Sequence, residues 1–330
     1  MSRARSAAPA LMRALAADHA PGHTEPLRLS PGRVHALGLT HAAHLRETGG
    51  ESGGPAVFAK EAASLLREGS EVMAPPREAL VEAVSRLDAT LAARLAARFP
   101  ALPPLLDYEV ELGLLLLEDV RAEALAREDF APPVGYFVAN DVTARTVQVL
   151  GEGRPDRMAF WGAAKSFPGF LVPGPTLWVP DVPQVDACLD VTLTLRVNGE
   201  LRQRGRTMDL IATPRELLTL AARAAPDGLL ARGDVVLTGT PSGVAFTVPA
   251  WKRRLASLLP GPLARLSAAL RAHAENPRML RPGDVVEMEA GVLGHHRFTV
   301  TQAGALRTGS GGTSRGADAL TVNGAPAGRC

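Results

Sequence analysis

Apolar positions recur along this chain with two periods, and the periods divide it into elements. From Arg77 to Phe99 the residues Leu80, Val84, Leu87, Leu91, Leu95 and Phe99 are spaced by three and four, which predicts one amphipathic helix ended by Pro100, Pro103 and Pro104. RAEALAREDF (121–130) and PRELLTLAARA (214–224) also read as helices. Trp251, Leu255, Leu258, Leu259, Leu263 and Leu266 share the helical spacing, which predicts an inserted amphipathic hairpin over 251–274. A period of two governs DVTLTLRVNGELRQRGRT (190–207) on both sides of Asn198-Gly199, the pattern of a β-hairpin with a type I′ turn. GYFVAND (135–141), GDVVLTGTPSG (233–243) and GDVVEMEAGVLG (283–294) read as further strands. The fold class is therefore strand-dominated α+β with helical insertions at about 77–99 and 247–280. Residues 1–75 form a small Pro- and Gly-punctuated N-terminal region, 76–302 the main domain, and 303–330 a Gly-rich, poorly ordered tail.

One strand does not fit a half-solvated sheet. In LDYEVEL (106–112), Asp107, Glu109 and Glu111 share one face while Tyr108, Val110 and Leu112 share the other. The run GLLLL that follows is apolar on both faces, so the strand carries its acids toward the interior. Buried carboxylates repel one another and cost several kcal/mol each in lost hydration unless a cation neutralises them. A hard divalent ion such as Mg²⁺ or Mn²⁺ accepts oxygen ligands of this kind. Asp141, at the end of GYFVAND and close to Arg145 and Gln148, offers a third carboxylate.

Composition narrows the field. Hydrophobic residues make up 46% of the 330 residues and the net charge is +2, which excludes a disordered chain and a strongly basic nucleic-acid binder. WKRR (251–254) reads as the polar top of a helix. Two cysteines, Cys188 and Cys330, support neither a disulfide framework nor a thiolate zinc site, and the expected setting is the reducing cytoplasm. No apolar run reaches the ~20 residues of a membrane span. Only three lysines (Lys60, Lys165 and Lys252) stand among 36 Lys and Arg, so a retained Lys points to a need for a compact ammonium.

The blocks DYEVEL, GYFVANDVTARTVQ, WGAAKSF, VNGE, TMDLI, GDVVLTGTPSG and PGDVVEMEAGVLG follow one another between about 34 and 300. In that order they resemble the fumarylacetoacetate hydrolase family. The resemblance implies a mixed β-roll or barrel and a divalent metal (Mg²⁺, Mn²⁺ or Ca²⁺) held by Glu109, Glu111 and Asp141, with Asp107 in support. It makes Lys165 the active-site lysine and Arg145, Gln148 and Thr240 substrate-contacting residues. GLTHAAHLRE (38–47) resembles the family's lid, about 38–50, in which His44 and Glu47 form a His–Glu pair acting as general base. The implied reaction is hydrolytic cleavage of a carbon–carbon bond in a 1,3-diketo acid, an acylpyruvate or fumarylacetoacetate-like compound. The alternatives are decarboxylation of a β-keto acid, or tautomerisation or isomerisation of an unsaturated diacid, on the same metal site, and, from a different class, a noncatalytic binding protein on this scaffold. A homodimer without nucleic-acid or membrane partners is expected. His41, Thr146 and Pro168 depart from the family's usual Tyr, Asp and Asp, which leaves the substrate more open than the metal.

Overall fold

A computed structural model describes residues 12–16, 21–41, 55–67, 69, 71–248 and 258–302. Two sheets carry the fold. In the larger, of eight strands, the path runs Gly22–Pro26, Thr176–Pro180, Val134–Asp141, Val110–Leu116, Val235–Leu237, Val34–Gly38, Ala56–Lys60, with Leu171–Pro173 also on Val134–Asp141. Its pairings are antiparallel except between Val34–Gly38 and Val235–Leu237. Among the described residues this path is open, so the roll expected from the resemblance is not a closed barrel. The five-stranded sheet runs Glu200–Arg206, Thr192–Val197, Val285–Glu289, His295–Gln302, Glu71–Ala74. Segments from the first 75 residues thus supply strands to both sheets.

The two central strands are covered on both faces, which is why Val110–Leu116 reads as a nearly continuous apolar run. Gly113 stands in that run because a Cβ there would fall on the Phe137 ring of the neighbouring strand. The hairpin forms as its sequence predicts, with Asn198 at φ 51° and Gly199 at φ 79°. So does the helix Pro214–Ala224, entered through a Thr213–Glu216 capping box.

Three helical expectations change. The single helix over 77–99 is two, Arg77–Ser85 and Ala89–Arg98. Asp88 accepts from the Leu91 amide at 2.8 Å and so starts a second helix, while Leu80, Val84, Leu91 and Leu95 all remain buried. The helix at 121–130 shrinks to one turn, Ala122–Leu125. Of the inserted hairpin, the helix Pro262–His273 is described; it buries Leu263 and Leu266 against Arg145–Gly151, and Leu258 is exposed. Trp251, Leu255 and the WKRR cluster lie outside the described residues, as do His44, Glu47 and the tail from 303. No described helix is long and apolar enough to cross a membrane.

Candidate metal centre

The acids meet because the strand that carries them breaks. Val110–Leu116 pairs antiparallel with Val134–Asp141, Val110 facing Asn140. Tyr108 and Glu109 leave the ladder, and Leu106–Asp107 instead pairs with Thr143–Ala144. The Asp141 amide donates to the Glu109 carbonyl at 2.8 Å and the Glu109 amide to Asn140 Oδ1 at 3.0 Å, which fixes the bend. Immediately before it Leu105 is held at φ 47°, and its carbonyl accepts from the Arg145 amide at 3.1 Å. That contact sets the helix Arg145–Gly151 beside the acids.

Carboxylate oxygens of Glu109, Glu111 and Asp141 lie within 4.8 Å of one another, all three residues buried. Lys165 Nζ stands 2.6 Å from Glu109 Oε2 and 2.7 Å from Asp141 Oδ2. Lys60 Nζ donates to Asp141 Oδ1 at 2.5 Å and to the Phe170 carbonyl at 3.1 Å. Arg145 donates to Asp107 Oδ2 at 2.9 Å, to Glu109 Oε1 at 2.5 Å and to Gln148 Oε1 at 2.6 Å. Glu111 Oε2 accepts the Gly239 amide at 2.8 Å. The all-oxygen donor set and its burial fit a hard divalent cation.

Burial pushes the Glu111 carboxyl well up from its ordinary range, and the neighbouring Asp141 adds to this. Burial also opposes the charge on Lys165, but Asp141, Glu109 and Glu111 outweigh it and raise the ammonium's pKa. At Lys60 burial prevails over Asp141, and the shift is downward. Arg145 is raised: Glu109 and Asp107 overcome its desolvation.

The structure therefore brings together Glu109, Glu111, Asp141, Lys165, Arg145 and Gln148. Thr240 sits one step away, its hydroxyl donating to the Val110 carbonyl at 3.0 Å and accepting from Gln203 Nε2 at 2.8 Å. Asp107 stands behind the acids, taking the Ala245 and Phe246 amides at 2.8 and 2.9 Å. Thr146 ties its helix to the Pro103 carbonyl at 2.6 Å, and buried His41 bridges to Leu210. Lys60, Asn140 and Gln203 were not singled out by sequence pattern as site residues. For Lys60 the signal was present: it is one of only three lysines.

The family model described as "Fumarylacetoacetate (FAA) hydrolase C-terminal" matches residues 33–301. A mitochondrial oxaloacetate tautomerase of Bos taurus is 28% identical over 216 residues, covering 65% of this chain and 57% of that protein, so the match spans little more than half of the relative. Among solved structures, a fumarylacetoacetate hydrolase from Exiguobacterium antarcticum is similar with a TM-score of 0.51 and 26% identity, over 83% of this chain and 76% of that one. A 5-carboxymethyl-2-hydroxymuconate delta-isomerase from Mycobacterium smegmatis gives a TM-score of 0.51 and 25% identity, over 84% and 82%. With the family model covering most of the chain and every carboxylate of the cluster, the chain belongs to the fumarylacetoacetate hydrolase family.

Proposed function

We propose that this chain is a divalent-metal-dependent enzyme that binds a small keto or diketo acid and works through its enolate. The observation that carries the reading is the convergence of three buried carboxylates, with Lys165 and Arg145 bonded directly to them. A divalent ion (Mg²⁺, Mn²⁺ or Ca²⁺) held by Glu109, Glu111 and Asp141 would supply Lewis acidity toward the substrate's keto oxygens. The second N–H of Arg145 Nη1 and the side-chain amide nitrogen of Gln148 would offer donors to a substrate carboxylate. Asp141, Glu109 and Glu111 raise the pKa of Lys165, and its ammonium would offer a donor to an oxygen on which negative charge develops. Removal of the carbon-bound proton, or activation of a water, is assigned to His44 with Glu47 by the family resemblance.

Two fates of the enolate give two reactions. Hydrolytic cleavage of a 1,3-diketo acid such as an acylpyruvate needs an attacking water. Tautomerisation or isomerisation moves a proton only, and the similarity to proteins named oxaloacetate tautomerase and delta-isomerase favours this second reading. Incubating the protein with acylpyruvates, oxaloacetate and unsaturated diacids under Mg²⁺ or Mn²⁺ in ¹⁸O-water separates them. Label in the new carboxylate of a cleaved product identifies hydrolysis, since keto oxygens exchange with water on their own, and enol-to-keto conversion without cleavage identifies tautomerisation. Full turnover by Glu111→Gln, or none by the wild type on any keto acid, would remove the metal-enolate reading altogether.

A further inference from the structure

The inserted helix Pro262–His273 is not absorbed by the chemistry above, yet its end reaches the site. The His273 ring stacks on Phe246, centroids 4.2 Å apart at 24°. Asn276 Nδ2 lies 3.0 Å from His273 Nδ1 and donates to the Ala245 carbonyl at 3.0 Å, and Arg278 donates to the Gly243 carbonyl at 2.8 Å. Residues 273–278 thus grip the backbone of 243–246 and one of its side chains.

What they grip is the support of Arg145. The amides of Ala245 and Phe246 both donate to Asp107, and Asp107 in turn accepts from Arg145 Nε at 2.9 Å and lies 2.8 Å from its terminal nitrogen. The Phe246 ring also covers the guanidinium, 5.9 Å from ring centroid to Cζ. The guanidinium is a planar fork, so its aim depends on the angle at which Asp107 is held. Docking of the helix has independent anchors: Leu263 and Leu266 are buried, and Arg265 donates to the Glu152 carbonyl. The stack on Phe246 therefore steadies Phe246 more than it steadies the helix.

We propose that the inserted segment 262–278 is a positioning element for Arg145, with His273 and Asn276 acting through Phe246 and Asp107 to set how the enzyme receives its substrate's carboxylate. This rests on the reading of Arg145 as a substrate-binding residue. A small misplacement of such a clamp weakens productive binding more than it disturbs the metal ligands, because Glu109, which Arg145 also contacts, is held by Lys165 as well.

The test compares wild type with His273→Ala and His273→Phe, the second restoring an aromatic face. Amide hydrogen exchange is followed in segments 105–109, 143–148 and 243–248, Mn²⁺ affinity is measured by titration, and kcat and KM are taken on the best keto acid. For His273→Ala the expected result is faster exchange in all three segments and a KM raised roughly tenfold, with kcat and Mn²⁺ affinity within about twofold of wild type. His273→Phe should bring exchange and KM back toward wild type. Unchanged exchange in His273→Ala, or faster exchange with an unchanged KM, overturns the proposal. If wild type turns over no keto acid, the proposed function fails by itself, and the exchange of 105–109 and 143–148 decides the clamp.

Discussion

Asp141 carries an ammonium on each oxygen, Lys60 on Oδ1 and Lys165 on Oδ2, and the two cations differ in what else they serve. Lys165 also reaches Glu109, whereas Lys60, its side chain wholly buried, has Asp141 and one backbone carbonyl. Removing one partner of a buried pair leaves the other charge poorly compensated, so Lys60→Met should cost about 3 kcal/mol in denaturant unfolding of the metal-free protein. A midpoint equal to wild type would show that Lys165 alone neutralises Asp141. Lys60→Arg should not rescue, because a planar fork replaces a compact ammonium in a site with no exposed side-chain surface. Cys188 gives a residue-scale probe far from the acids. Burial, aided by Asp190, pushes its thiol up to about 12. At pH 8 its thiolate fraction is on the order of 10⁻⁴, so peptide mapping after iodoacetamide should find Cys188 unmodified in the native protein and alkylated once it is unfolded.

At the scale of elements, the turn after Val235–Leu237 does the most to shape the site. Gly239 has φ 87°, a Cβ there would collide with Thr40 Oγ1 and the Leu37 carbonyl, and its amide is the donor to Glu111. Gly239→Ala combines left-handed strain with a clash, for an expected loss of about 2–3 kcal/mol. The displaced amide should also lower Mn²⁺ affinity; a thermal melt and a metal titration both at wild-type values would refute this. The TGTPSG motif was legible in the sequence, but its bond with Thr40, whose hydroxyl donates to the Thr238 carbonyl 198 positions on, was not. The same limit explains the helix over 77–99: its apolar period continues through Asp88, and only the cap bond to Leu91 shows the break. LDYEVEL announced its buried acids through the apolar run behind it. The break at Tyr108–Glu109 was hidden, since it arises from bonds to Asn140 and Asp141 on another strand. Periodicity reports which face of an element is buried, and tertiary partners decide where that element stops.

Across the whole molecule, segments from Lys60 to Gly239 converge on one interior cluster whose charges nearly balance. Asp107, Glu109, Glu111 and Asp141 face Lys60, Arg145 and Lys165, so the acids exceed the cations by one. Glu111 accepts from a neutral group, the Gly239 amide, and burial presses its carboxyl toward protonation. An ion of charge +2 placed among these oxygens offsets both the excess and that pressure, and binding to the folded state alone stabilises it by mass action. At free Mn²⁺ about a hundredfold above its dissociation constant the gain is ~2.7 kcal/mol, which for a chain of this size means a rise in melting temperature of about 4 °C. Chelation should reverse the rise. Glu111→Gln removes the excess charge and one ligand together, so its metal-free form should melt at or above the wild-type temperature and respond little to Mn²⁺. A wild type indifferent to Mn²⁺ and Mg²⁺, or a Glu111→Gln variant that gains as many degrees as wild type, would mean that the ion sits elsewhere and that the buried acids are balanced by Lys60, Lys165 and Arg145 alone.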